Sequence, residues 1–105
     1  MARRAIVAAN WKMNGDLALV NTMVSGLSDI ELQENVTVVV CPSSPYLSVF
    51  AVKAKRDNLN AAISVGAQNV SEHKSGAFTG EISTQMLQDL SVEFAIIGHS
   101  ERRSY

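Results

Sequence analysis

Lys12 and His99 each follow an apolar run and are the side chains best suited to chemistry. Lys12 comes after residues 5–9, and His99 comes after residues 94–97. A lysine ammonium is a compact cation with a long reach, suited to a phosphate or to a developing oxyanion. Position alone favours an ordinary surface lysine, so further evidence is needed for a binding role.

Asn10 supplies part of that evidence. Side chains alternate along a strand, so Asn10 and Lys12 would share one face if the extended conformation continued through Lys12. The two polar groups would then point together into one site. With this shared face, a binding lysine and a surface lysine are about equally supported.

His99 precedes residues 100–103, whose sequence Ser-Glu-Arg-Arg is typical of the first turn of a helix. The positive end of a helix dipole favours a neutral imidazole, which acts as a hydrogen-bond donor rather than a cation. A structural histidine with satisfied hydrogen bonds explains the position equally well. His73 lies in a polar stretch, and we expect it to be solvated.

Four apolar runs alternate with segments of helical period. The runs, at residues 5–9, 36–41, 61–67 and 94–97, are typical of strands buried on both faces of a parallel sheet. Between the first two, apolar residues recur at helical spacing. The pattern predicts an α/β fold with right-handed crossovers, in which the site lies at the carboxyl ends of the strands.

Short polar side chains mark where three helices should begin. Asp16 or Asn14 can cap the first helix, and Ser83 can cap the third. Ser44 is followed by Pro45, which suits the first position of a helix, so Ser44 is the expected cap of the second.

The predicted strands begin near residues 5, 36, 62 and 93, a repeat of about 29 residues. Eight such units would need roughly 235 residues, close to the size of an eight-stranded (β/α) barrel. The chain of 105 residues holds three units and a fourth strand. We therefore expect residues 1–105 to form one partial barrel domain that lacks the remaining units.

The connection at residues 71–81 is long and polar, whereas 2 to 6 residues are usual between a strand and a helix. Gly76 and Gly80 do not fit a phosphate-binding loop pattern. Ala77 and Phe78 form an apolar pair within this loop. Docking into a partner and folding of Phe78 onto its own domain are equally open.

The composition of the chain limits the classes of protein to which it can belong. The chain is 47% hydrophobic, and nine Lys and Arg stand against ten Asp and Glu, for a net charge of −1. Disorder through low hydrophobicity is excluded. The balanced charge argues against a nucleic acid or an anionic membrane as the main partner, because either needs a concentrated basic face. Lys53, Lys55 and Arg56 are best interpreted as a solvated helix end.

Cys41 is the only cysteine, so no intramolecular disulfide and no cysteine zinc framework can form. A reducing compartment is the simplest interpretation. The apolar run before Asn10 is too short for a signal-peptide core, and no run approaches the roughly 20 residues of a transmembrane helix. These features predict a cytoplasmic protein.

Four segments stand in one order along the chain: Asn-Trp-Lys-Met-Asn-Gly at 10–15, Gly-Ala-Gln-Asn-Val at 66–70, Ser-Gly-Ala-Phe-Thr-Gly-Glu at 75–81 and Ile-Ile-Gly-His-Ser-Glu-Arg-Arg at 96–103. In order and spacing they resemble the triosephosphate isomerase family. The resemblance implies the N-terminal portion of a TIM barrel. It also implies interconversion of dihydroxyacetone phosphate and glyceraldehyde 3-phosphate without a metal or cofactor.

The resemblance also implies roles for individual residues. Lys12 would bind the substrate phosphate and stabilise enediolate charge, with Asn10 lining the pocket beside it. His99 would be the neutral group that polarises the substrate carbonyl and moves protons between its two oxygens. Ser100 and Glu101 would support the site, since family members place a glutamate in this position close to the lysine.

A homodimer is implied in the same way. Met13 and the loop that contains Phe78 match the dimer contact, in which the loop enters the other subunit near its site. Thr79 would reach the partner's Asn10, and Glu81 would reach the partner's Arg102.

The resemblance leaves two parts of the family site without a counterpart. The general base, a glutamate after strand six, and the glycine-rich phosphate loops after strands seven and eight would lie beyond Tyr105. We therefore expect the chain alone to be inactive. A non-catalytic association module is the alternative. A flavodoxin-like domain fits less well, because Asn10, Trp11 and Lys12 do not supply the Ser, Thr or Gly that it needs after strand one.

Overall fold

A computed structural model describes residues 4–57, 59, 62–100 and 102. Four strands and three helices alternate along the chain: β1 (Ala5–Asn10), α1 (Leu17–Ser28), β2 (Val36–Cys41), α2 (Ser44–Arg56), β3 (Ile63–Ala67), α3 (Thr84–Asp89) and β4 (Phe94–Ala95). The predicted α/β class and the order of its elements are confirmed. The third strand begins later than expected, and Ala61 lies outside the described residues.

The strands form a parallel sheet in the order β1-β2-β3-β4. Each strand therefore lies beside the next in sequence, joined by a helical crossover. In a flavodoxin-like sheet, the first strand would instead lie between the second and the third. The unbroken order is that of a barrel wall, and it excludes the flavodoxin-like alternative for these four strands.

The core lies between the sheet and helices α1 and α2. Phe50 and Val20 are fully buried, and Val40 packs in the same cluster from the sheet. Helix α1 contributes Val24 and Leu27, which are among the apolar residues that recur at helical spacing, whereas Leu17 at its first turn is 57% exposed. The basic residues of α2 occupy its last turn, where they complement the helix dipole as expected for a solvated end.

Burial differs between the strands. Strand β3 is buried throughout, as predicted, but Ala5 to Ala8 of β1 are exposed, and Ile6 is 59% exposed. The expectation of burial on both faces is wrong for β1, because β1 is an edge strand with a single hydrogen-bonded neighbour in the described sheet. Strand β4 is also shorter than predicted and ends before Ile97, which is 81% exposed.

Two of the three predicted caps are present. Asp16 accepts a hydrogen bond from Leu19 N at 2.7 Å, and Ser83 accepts one from Met86 N at 3.2 Å. The cap predicted at Ser44 is wrong, because Ser44 is the first residue of α2 and Ser43 is its N-cap. The Ser43 side chain does not cap the helix, since its hydroxyl donates instead to Asn14 O at 3.2 Å.

Candidate active site

A cleft of about 430 Å³ opens at the carboxyl ends of the strands. Its walls come from the segments after β1, β3 and β4 and from the start of α2. The lining residues are Asn10, Lys12, Met13, Ser44, Gln68, Asn69, His99 and Arg102. Residues far apart in sequence, Lys12 and His99 among them, are thus brought to one place by the parallel sheet.

The backbone around Lys12 differs from the extended conformation expected. Strand β1 ends at Asn10, and Lys12 has φ of 57°. The Asn10 side chain accepts a hydrogen bond from Lys12 N at 2.8 Å, so it closes a local turn. The shared strand face predicted for Asn10 and Lys12 is therefore wrong, yet both residues line the cleft.

Gln68 holds this turn in place. Its Nε2 donates to Lys12 O at 2.9 Å and to Cys41 O at 3.0 Å. A left-handed conformation at a non-glycine residue persists only where the surroundings hold it. The sequence contained a signal for this role, since Gln68 is a polar residue directly after a buried strand. Its supporting role was nevertheless not anticipated.

Trp11 anchors the same loop to α2. Its backbone N–H donates to Cys41 O at 3.1 Å, and its indole meets the Phe50 ring edge-on with 5.8 Å between centroids. Asn14 Nδ2 donates to Trp11 O at 2.9 Å, and Asn14 O accepts from the Ser43 hydroxyl. The residues that flank Lys12 are therefore fixed by the end of β2 and by side chains at and within α2.

His99 lies opposite, after the fourth strand. Gly98 has φ of 59°, which turns the chain out of the sheet, and His99 is partly buried against the cleft. Its carbonyl accepts from Arg102 N at 2.9 Å, so one tight turn follows it. Ser100 is exposed and is not among the lining residues. Glu101 lies outside the described residues.

The charge of the cleft favours an anion. Among its described lining residues, Lys12 and Arg102 are cationic and none is acidic. Both side chains are solvent-accessible, which leaves them able to meet a soluble ligand. A phosphate group matches this arrangement in charge.

Cys41 lies beneath the cleft at the end of β2. It is 2% exposed, and burial raises the pKa of its thiol from 9.0. A buried protonated thiol behaves as a small apolar side chain rather than as a nucleophile. The contribution of Cys41 to the site is therefore its carbonyl, which accepts from both Trp11 and Gln68.

The loop at residues 71–82 does not reach the cleft. Phe78, Thr79 and Glu81 are exposed and are absent from the cleft lining. Phe78 stacks on one face of His73 within the loop, and the His73 side chain remains 42% exposed, which agrees with the expectation that it is solvated. In the part of the chain that the structure describes, no three His, Cys, Asp or Glu side chains come together as a metal site would require, and no helix is long and apolar enough to cross a bilayer.

The parallel wall and the polar cleft at its carboxyl edge are the architecture of the (β/α)-barrel class. The family model described as triosephosphate isomerase matches residues 5–105. The chain therefore belongs to the triosephosphate isomerase family, and its partial TIM-barrel fold is confirmed.

Relatives from bacteria and a yeast agree with this assignment. A triosephosphate isomerase of Colwellia psychrerythraea is 69% identical over 104 residues, which cover 99% of this chain and 41% of the relative. One from Histophilus somni is 43% identical over 106 residues, covering 100% of this chain and 40% of the relative. One from Debaryomyces hansenii is 43% identical over 104 residues, covering 99% and 40%. The chain thus spans about two fifths of the length of these curated relatives.

Proposed function

We propose that the protein represented by this chain interconverts dihydroxyacetone phosphate and glyceraldehyde 3-phosphate, as a step of glycolysis and gluconeogenesis. The observation that carries the proposal is the convergence of Lys12, Asn10 and His99 on one cationic cleft in a chain of this family. Residues 1–105 would form one partial barrel domain, with three βα units and a fourth strand.

The reaction moves one proton between adjacent carbons through an enediolate. Lys12 would hold the substrate phosphate and offset the negative charge that develops on the enediolate oxygens, with Asn10 lining the pocket beside it. His99, as a neutral imidazole, would donate a hydrogen bond to the carbonyl oxygen and then carry a proton between the two oxygens. Ser100 and Glu101 would support these groups. The proposal invokes no metal or cofactor.

We propose further that the chain by itself is inactive. The family resemblance assigns the glutamate that removes the proton from carbon, and the glycine-rich phosphate loops, to parts of the fold after strands six to eight. A positioned general base contributes roughly 10² to 10⁴ in rate. Under this proposal, Lys12 and His99 act only together with those elements.

The same proposal includes a homodimer in the cytoplasm, without a nucleic-acid or membrane partner. Met13 is 95% exposed and Phe78 is 41% exposed, as is expected of apolar side chains that a protein partner covers in a complex. Thr79, Glu81 and Arg102 are also exposed and would complete that contact. The single cysteine and the balanced charge of the chain support this location and partner class.

A coupled assay of the purified chain, with its mass verified, tests the proposal of inactivity. We expect no turnover above the buffer blank with either triose phosphate, while the Colwellia psychrerythraea relative is active under the same conditions. Turnover near that of the relative would show that the missing base and phosphate loops are not needed.

A binding experiment tests the cleft directly. Amide resonances of the ¹⁵N-labelled chain are followed while glycerol 3-phosphate is added. We expect shifts at Asn10, Lys12 and His99 that vanish in Lys12→Met and persist in Lys74→Met, a matched change on the exposed loop. Shifts confined to other regions, or shifts that survive Lys12→Met, would contradict the assignment of the cleft.

A non-catalytic association module is the second candidate. It is favoured by exposed apolar side chains at the carboxyl end of the sheet, with Met13 at 95% and Ile97 at 81% exposure. This candidate predicts self-association without any phosphate-dependent shift at Lys12. The isomerase proposal predicts that shift, so the same titration separates the two functions.

A further inference from the structure

The loop between β3 and α3 is closed on itself. Ser71 N donates to Ile82 O at 2.7 Å, which joins the two ends of the loop. His73 N donates to Ser71 Oγ at 3.1 Å, and Glu81 N donates to Phe78 O at 3.0 Å. A surface loop of this length whose ends meet has the form of an Ω-loop, which is packed by its own side chains.

Two aromatic rings meet inside this loop. The His73 imidazole and the Phe78 ring lie parallel, with 3.8 Å between centroids and an interplanar angle of 0°. Gly76 makes the approach possible, because its φ is 128° and a Cβ there would lie 3.1 Å from Phe78 Cε2. Phe78 remains 41% exposed, so the stack leaves part of the ring available to solvent.

We propose that the His73–Phe78 stack is a clasp that fixes the loop in its docking conformation before a second copy of the chain binds. The docking role rests on the proposed homodimer contact. A loop that is ordered in the free chain loses less conformational entropy on association than one that orders at the interface. The clasp thus raises the fraction of chains that are competent to dock, and the apparent dissociation constant falls in proportion.

Other contacts of His73 do not account for the arrangement. Glu72 Oε1 lies 3.6 Å from His73 Nε2, but the Glu72 side chain is 87% exposed, and such pairs contribute little. The neighbouring Lys74 is exposed and serves as a control position. His73→Phe keeps a ring in the stack and removes the imidazole nitrogens, whereas His73→Ala removes the ring.

Nuclear magnetic resonance of the 105-residue chain tests the clasp. We expect ring-current shifts of the His73 protons that disappear in Phe78→Leu. The heteronuclear NOE of the Ala77 amide should fall in His73→Ala and stay at the original value in His73→Phe and Lys74→Ala. Equal chemical shifts of the His73 protons in the original chain and in Phe78→Leu would overturn the proposal. It would also be overturned if the heteronuclear NOE of the Ala77 amide were the same in His73→Ala as in the original chain.

Sedimentation velocity over a concentration series tests the docking role. We expect His73→Ala to weaken self-association several-fold, while Lys74→Ala and His73→Phe do not. Equal association of His73→Ala and the original chain would overturn the docking role. An original chain that stays monomeric would also overturn it and would contradict the homodimer contact, whereas the resonance experiment would still decide the clasp.

Discussion

Gln68 Nε2 donates to Lys12 O at 2.9 Å, which ties the side chain that follows β3 to the left-handed turn that follows β1. The same nitrogen donates to Cys41 O at 3.0 Å, at the end of β2. One amide group therefore joins the carboxyl ends of three neighbouring strands. The position of Lys12 in the cleft depends on these two hydrogen bonds more than on the direction of β1.

Replacing Gln68 by Met should destabilise the chain by about 1 to 2 kcal/mol, because the exposed carbonyl of Lys12 and the part-buried carbonyl of Cys41 each lose a donor while side-chain length is kept. Urea unfolding followed by circular dichroism measures the change in the free energy of unfolding. Gln85→Met, the same substitution at an exposed position of α3, should change it by less than about 0.5 kcal/mol. Equal effects of the two substitutions would show that the Gln68 hydrogen bonds do not support the turn.

Gly66→Ala should destabilise the chain by about 1 to 3 kcal/mol through overpacking. An added Cβ would lie 2.8 Å from Cys41 Sγ and 3.0 Å from Val39 Cγ1, on the buried strand next to β3. Gly26 provides the matched control, since a Cβ there meets nothing within 4 Å in an exposed part of α1.

Gly26→Ala should stabilise the chain by about 0.5 to 1 kcal/mol, because alanine loses less backbone entropy in a helix interior. Thermal unfolding of the two variants therefore gives shifts of opposite sign. A shift of the same sign in both would mean that the space around Gly66 does not limit the packing of the sheet.

Ser91→Gly should stabilise the chain by up to about 1 kcal/mol. Ser91 has φ of 60° just after α3, where Val92 N donates to Leu87 O at 2.9 Å and Ser91 N donates to Gln88 O at 3.0 Å. This pair of bonds is the Schellman ending of a helix, in which glycine is preferred because it has no Cβ to strain.

The control for Ser91→Gly is the same change inside a helix. Ser25→Gly, at an exposed position of α1, should destabilise by about 0.5 kcal/mol. Urea midpoints that move in opposite directions support the Schellman assignment. A loss of stability in Ser91→Gly would contradict it.

Much of the fold could be predicted because its signals are local. Asp16 and Ser83 cap helices as their sequence positions indicate, and β3 is buried as its unbroken apolar run predicts. Ser43 and Ser44 both precede Pro45, and only the tertiary bond from Ser43 to Asn14 O decides what the Ser43 hydroxyl does. The exposure of β1 likewise depends on which neighbours cover it, which its own sequence does not encode.

The sequence indicated which candidate residues would come together better than it indicated their local geometry. Asn10, Lys12 and His99 reach one cleft because parallel strands place their carboxyl ends together. The turn at Lys12 was missed, since a side-chain bond from Asn10 to the backbone two residues later competes with the extended conformation. Gln68 was missed because its partners are two carbonyls distant in sequence, and such contacts leave no periodic pattern.

The Cys41 thiol should make stability fall at high pH. Burial raises the pKa of this thiol in the folded chain above its ordinary value of 9.0. Below pH 9 the thiol is protonated in both states and has no effect. Above pH 9 the unfolded chain releases the proton and the folded chain retains it, so unfolding is favoured by at most about 1.4 kcal/mol per pH unit.

Urea unfolding of the original chain and of Cys41→Ala between pH 7 and 10.5 isolates this contribution, since the two chains differ only at residue 41. We expect the original chain to have the higher free energy of unfolding. Its excess over Cys41→Ala should be constant up to about pH 9 and decrease above it, because the buried thiol then favours unfolding. Cys41 is 2% exposed, so it should also react with a thiol reagent at pH 8 only after urea is added. A parallel pH dependence of the two chains, together with rapid labelling of the folded one, would show that β2 opens to solvent beneath the cleft.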